Sequence, residues 1–280
     1  MSVRFVIDSA SDVLPCEAQA MGVTVLPMTV TFGQQHYCDG VDLTHKEFYE
    51  KLVQSQELPT TSQIPPAVFA DAFEKLVSQG HQVVCIVLSS GLSGTYQSAM
   101  IAASEFEGQV FVVDSLNATI GERILLMRGL ELAQQGMEAS QIAGQLTQER
   151  EKIRLVAIVD TLEYLKKGGR VSSAAALAGG LLGIKPAIEV KEGKVITAGT
   201  ARGSKKANGL LCQMVEAYGG IHYDMPVAFV YAVDRSLLDQ FVAQCPQIWE
   251  REVPLPAHSL GGTIGTHVGP GAYGVAFFEK

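Results

Sequence analysis

Hydroxyl side chains set among glycines, where an apolar strand hands over to a helix, form a device for holding an anionic oxygen. The segment Ser89-Ser90-Gly91-Leu92-Ser93-Gly94-Thr95-Tyr96-Gln97-Ser98-Ala99 has this form. It leaves the apolar run at 83–88, passes two glycines and enters a helical pattern holding Ala99, Ile101 and Ala102. Glycine lets backbone approach a ligand, and a helix start offers free N–H groups with positive dipole character. Ser93 and Thr95 add hydroxyls. A carboxylate or phosphate is the expected guest.

Two further segments suit the same anion. Pro59-Thr60-Thr61-Ser62-Gln63-Ile64-Pro65-Pro66 sets three hydroxyls ahead of a proline-started helix, where plain N-capping is an equal explanation for any one of them. The stretch 261–271 is a glycine-dense loop with one histidine, His267. Among so many glycines that imidazole has little packing reason to be present. It is expected to donate to an anion or to act as an acid or base. Strand ends also collect hydroxyls, as in FVID-Ser9, FVVD-Ser115 and IVD-Thr161. Helix capping explains most of these, but open α/β sheets bind ligands at the same strand ends.

Sharper motifs fail. Gly91-Leu92-Ser93-Gly94-Thr95 misses the G-x-S-x-G nucleophile elbow at its last position, and no Gly-Lys-Ser/Thr phosphate loop occurs. Gly269-Pro270-Gly271-Ala272-Tyr273-Gly274 spells a dinucleotide fingerprint, but it precedes a strand and Pro270 has no N–H to give. Five scattered cysteines lack a C-x-x-C pair, and six histidines lack an H-x-x-x-H pair. Reduced thiols in a cytoplasmic protein without a metal site are expected.

These residues need a scaffold. Strand-like runs at 3–7, 23–32, 82–88 and 110–113 alternate with helical patterns near 44–56, 65–79, 94–106 and 117–136, which predicts βαβ units and a largely parallel sheet. A helix at 138–152 and a strand at 154–159 follow. The pattern then changes: strands at 185–191 and 194–200 flank Glu192-Gly193, a hairpin signal. A helix at 203–218, a strand at 227–233, a helix at 235–244 and strand material at 271–278 complete the chain. The expected fold is α/β: a first domain with a parallel sheet over 1–152 and a second, mixed α/β domain over 153–280.

With 280 residues and 47% hydrophobic content, the chain can bury a sizeable core. Its mean hydropathy is +0.19. The longest apolar runs are far too short to span a bilayer, and strand-like sequence begins at Val3, so neither membrane insertion nor a leader peptide is expected. A net charge of −8 argues against general nucleic-acid binding. That charge is uneven. Residues 166–206 carry nine basic side chains against two acidic ones, a local +7, which leaves −15 elsewhere. Within this island the small, greasy run 174–184 reads either as a buried helix or as a cavity wall beside a docking face for an acidic partner.

Together these segments resemble the DegV family of bacterial fatty-acid-binding proteins. The resemblance rests on Asp8-Ser9, Thr61-Ser62-Gln63, Ser90-Gly91-Leu92-Ser93-Gly94-Thr95-Tyr96, Val113-Asp114-Ser115, Leu162-Glu163-Tyr164-Leu165-Lys166-Lys167-Gly168-Gly169-Arg170, Gly183-Ile184-Lys185-Pro186 and His267-Val268-Gly269-Pro270-Gly271. One departure is Ile64 standing between Gln63 and Pro65. The resemblance implies a Rossmann-like first domain and a long-chain fatty acid held between the two domains, with its carboxylate at Thr61, Ser62, Ser93, Gly94, Thr95 and His267. It also implies no catalytic activity of its own, and a separate ATP-binding fatty acid kinase subunit that phosphorylates the acid for phospholipid synthesis. Arg170 and Arg202 would lie at the headgroup or at the docking face. An enzyme, with Ser93 and His267 as a hydrolase or phosphotransferase pair by analogy with dihydroxyacetone kinase, is the rival reading. Burying roughly 14 methylenes at about 0.8 kcal/mol each would contribute on the order of 10 kcal/mol. One hydrogen bond to the carboxylate adds only about 1.5–3 kcal/mol.

Overall fold

A computed structural model describes residues 2–171, 183–249 and 254–280. Most of the greasy run at 174–184 therefore lies outside the described residues. The first half runs β1 (Val3–Asp8), α1 (Pro15–Met21), β2 (Val23–Leu26), β3 (Thr29–Phe32), β4 (Gln35–Cys38), α2 (His45–Gln54) and β5 (Thr60–Ser62). It continues through α3 (Pro66–Val77), β6 (Gln82–Val87), α4 (Thr95–Ala103), β7 (Val110–Asp114), α5 (Thr119–Gln134) and α6 (Ala139–Glu149). The second half holds β8 (Ile153–Ile158), α7 (Glu163–Lys167), β9 (Ile184–Lys191), β10 (Lys194–Arg202) and α8 (Ser204–Ala217). After these come β11 (Ala228–Tyr231), α9 (Arg235–Gln244), β12 (Ala257–Ser259), α10 (Gly262–Val268) and β13 (Tyr273–Phe278).

Three sheets result. Strands β2-β1-β6-β7 form the expected parallel sheet. Its central strands are apolar without alternation because helices cover both faces; β6 is buried from Val83 to Val87. Strands β10-β9-β8-β13-β11-β12 form a mixed sheet, parallel only between β11 and β12. The β9–β10 hairpin turns at Glu192-Gly193, both with positive φ (50° and 73°), as a two-residue primed turn requires. This is the α/β architecture the sequence predicts.

The run at 23–32 is not one strand. Pro27 has no N–H for a ladder, and the Met28 N–H turns aside to Ser9 Oγ at 3.0 Å. Beyond that break, Thr29–Phe32 joins a third, antiparallel sheet of order β4-β3-β5. Its outer strands, β4 and β5, escape the hydrophobic pattern because they are short and largely polar, and helix α1 because it spans only seven residues. Helix α5 packs against β1 and β6 of the parallel sheet and against β8, β11 and β13 of the mixed sheet. One apolar core accordingly runs from Ile7 and Val84 through Ile124 to Val230 and Ala276.

Candidate functional site

The anion loop lies where the sheet topology predicts, beyond the C-terminal ends of the parallel strands. Carboxylates at those ends hold it. Asp8 accepts the Leu88 N–H at 2.8 Å, and Asp114 accepts the Ser90 N–H at 3.1 Å. Burial pushes the Asp8 carboxyl up to about 7, against the lowering effect of its backbone donors. The strand-end hydroxyls serve the turns themselves. Ser9 Oγ accepts the Met28 N–H, and Ser115 Oγ donates to the Asn117 carbonyl at 3.0 Å.

Within the loop, the Ser93 and Thr95 hydroxyls bond each other at 2.9 Å, and the Thr95 N–H points to Ser93 Oγ at 3.2 Å. Thr95 is fully buried, so Ser93 is the hydroxyl that faces the cavity beyond. The two glycines make room for the chain itself. A Cβ on Gly91 would stand 2.6 Å from the Gly193 carbonyl oxygen at the hairpin tip. One on Gly94 would stand 2.0 Å from Gln63 Oε1. Gly94 therefore seats Gln63, whose Nε2 donates to Ser98 Oγ at 3.0 Å.

Strand alternation sorts the three hydroxyls at 60–62. Thr61 pairs with Val30 and turns inward, while Thr60 and Ser62 are exposed on the opposite face. Ser62 is thereby separated from the cavity that Thr61 lines. Its backbone belongs to β5, a sheet edge rather than a helix cap.

His267 sits on α10, not on a loop, and its Nε2 lies 3.0 Å from Thr61 Oγ1. Its Nδ1 is buried and has no hydrogen-bond partner among the described residues. Gly168 backs directly onto that nitrogen; a Cβ there would stand 2.2 Å away. Burial, helped by the nearby Arg170 charge, lowers the imidazole to about 4, so it is neutral at pH 7. Arg170 Nη1 donates to the Gly168 carbonyl at 2.6 Å and Nε to the Leu92 carbonyl at 3.3 Å. Its guanidinium thus ties the backbone behind His267 to the backbone before Ser93.

Thr61, Ser93, Arg170 and His267 share the wall of one narrow cavity of about 60 Å³. The remaining wall is apolar, with Met28, Leu92, Leu165, Val195, Ile264 and Val268 among its residues. Thr61, Arg170 and His267 also border a second cavity of about 210 Å³, which Lys167, Gly168 and Tyr164 help to line. A polar partition therefore separates a greasy chamber from a basic vestibule. Arg202 stands apart, exposed at the end of β10. Among the residues that sequence reasoning gave no role, Gly168 has no signal in composition, because the contact requiring it comes from nearly a hundred residues downstream.

This geometry does not make a Ser–His catalytic pair. His267 engages Thr61, Ser93 engages Thr95, and among the described residues Nδ1 has no carboxylate to orient it, whereas a nucleophile needs the base in direct contact. Among the described residues, no group of three His, Cys, Asp or Glu side chains is placed to hold a metal ion, and no helix is long and apolar enough to cross a membrane.

Known proteins of similar sequence and fold share one family name. A DegV domain-containing protein of Deinococcus radiodurans is 38% identical over 280 residues, covering 99% of this chain and 98% of its own. A solved structure of a Thermus thermophilus DegV family protein, described for its fatty acid binding, superposes with a TM-score of 0.90 at 32% identity over the whole of both chains. A stearic-acid-binding protein from Eubacterium ventriosum superposes at 0.87 with 27% identity, covering 100% of this chain and 99% of its own. The DegV family model matches residues 2–280, and the chain belongs to that family.

Proposed function

We propose that the protein binds a long-chain fatty acid, places its tail in the apolar chamber and holds its carboxylate on the Thr61 and Ser93 hydroxyls, with His267 orienting Thr61. Residues 1–152 and 153–280 would act as the two domains enclosing it. The observation that carries this reading is the partition itself: hydroxyls and a neutral imidazole stand where a greasy chamber meets a basic vestibule. We assign the proton of His267 to Nε2, which donates to Thr61 Oγ1 and leaves the Thr61 O–H free to donate to the carboxylate. Ser93 supplies a second donor, and Thr95 orients Ser93 from behind. Ser62 and Gly94 lie outside this contact set.

The carboxylate would then face the vestibule with Lys167 and Arg170 beside it. A separate ATP-binding kinase subunit docking there, with Arg170 and Arg202 in its interface, could phosphorylate the acid. The protein itself carries the acyl chain and performs no chemistry. The local positive charge of residues 166–206 supports an acidic partner surface.

Ser93→Ala tests the headgroup assignment. Losing one hydrogen bond to a charged group, about 1.5 kcal/mol, lowers palmitate affinity roughly tenfold. Kinase-coupled turnover should fall further, about a hundredfold, because a carboxylate held by fewer donors is misaligned for attack. Equal losses in binding and turnover would show that Ser93 does not orient the headgroup.

A further inference from the structure

The glycine-dense stretch at 261–271 does hold anions, but they belong to the chain. Asp12 Oδ1 accepts the Gly261 N–H at 2.8 Å. Asp39 takes Gly262 N–H on Oδ1 at 2.9 Å and Thr263 N–H on Oδ2 at 3.0 Å. Thr263 Oγ1 also donates to Asp39 Oδ2, at 2.5 Å. Two carboxylates from the first forty residues thus cover the opening N–H groups of α10. The glycines admit this approach: a Cβ on Gly261 would stand 2.9 Å from Asp12 Oδ1, and one on Gly265 2.6 Å from Phe48 Cε1.

We propose that Asp39, with Asp12 beside it, is a positioning residue for the headgroup site, fixing the pose of α10 and so the contact between His267 and Thr61. A seven-residue helix has few internal hydrogen bonds and depends on its cap and its packing for its place. Asp39 is 2% exposed, and its own N–H is tied to the Met28 carbonyl at 2.9 Å. It directly follows β4, and Thr61 lies on β5 of the same three-stranded sheet. One small sheet therefore carries Thr61 on one strand and, at the end of another, the anchor that brings His267 to meet it. Helix α10 also supplies Thr263, Ile264 and Val268 to the cavity wall, so a shift at its start moves headgroup and tail contacts together. The significance for ligand binding rests on the fatty-acid reading, but the link from Asp39 to His267 does not.

The test follows the His267 ring by NMR titration in the full chain freed of lipid, together with palmitate affinity. Asp39→Asn keeps the shape but turns an amide NH₂ toward donors that need an acceptor. His267 should then titrate at least a full pH unit above the wild-type value near 4, with palmitate bound about tenfold more weakly. Should that variant fold poorly, Thr263→Val, which removes only the hydroxyl bond, should move the imidazole the same way by less, and Thr263→Ser should restore it. Wild-type titration of His267 in folded Asp39→Asn and Thr263→Val would overturn the proposal. If wild-type protein binds no palmitate, the fatty-acid reading falls, and the titration still decides the role of Asp39.

Discussion

Ile264→Trp should abolish fatty-acid binding while leaving the fold intact. Ile264 lines the apolar chamber from α10 and is only partly buried by the surrounding core, so a larger ring projects into the space the tail would occupy. Displacing even four methylenes forfeits roughly 3 kcal/mol, more than a hundredfold in Kd. A cavity-filling side chain costs the empty protein little and should hold or raise its melting temperature. The outcome separates tail burial from headgroup contacts, because every polar group of the site remains in place. Palmitate binding at wild-type strength in a well-folded Ile264→Trp protein would put the tail somewhere else.

Gly168→Ala is expected to damage the headgroup end as selectively. Gly168 has an ordinary right-handed φ of −74°, so alanine suits its backbone and only space forbids it. The added methyl would lie 2.2 Å from His267 Nδ1 and 2.9 Å from Cε1. The ring must swing away, and its 3.0 Å contact with Thr61 breaks. Palmitate should bind at least tenfold more weakly, consistent with a charged-group hydrogen bond of about 1.5–3 kcal/mol. Hexadecanol, which has the tail without the charge, should lose much less. In a His267→Ala background the methyl has room, so Gly168→Ala should add almost nothing; additive losses would rule out the steric mechanism.

Sequence patterning reaches far in some places and stops short in others. The parallel sheet was legible because both faces of β1 and β6 are covered, which writes unbroken apolar runs into the chain. The hairpin was legible because Glu192-Gly193 supplies the backbone conformations its turn demands. Ser93, Thr61 and His267 stand out as polar groups beside glycines and strand ends, and the fold does bring them to one cavity. Which neighbours share that cavity depends on facts the pattern does not contain. Ser62 differs from Thr61 only in strand phase, and strand β5 is too short and polar to announce its phase. Gly94 and Gly261 look like ligand contacts, yet what they admit is Gln63 and Asp12, brought close only by tertiary folding. Thr95 looks like a donor to the ligand but spends its hydroxyl on Ser93.

A fatty acid in the apolar chamber beneath Thr61, Ser93 and His267 is what every expected binding loss depends on. Mass spectrometry of the organic extract from denatured protein, purified after expression in bacteria, measures this most directly. A saturated or monounsaturated fatty acid at close to one equivalent per chain is the predicted result, falling to background in Ile264→Trp prepared identically. No fatty acid in the wild-type extract, together with no uptake of added palmitate, would contradict the account.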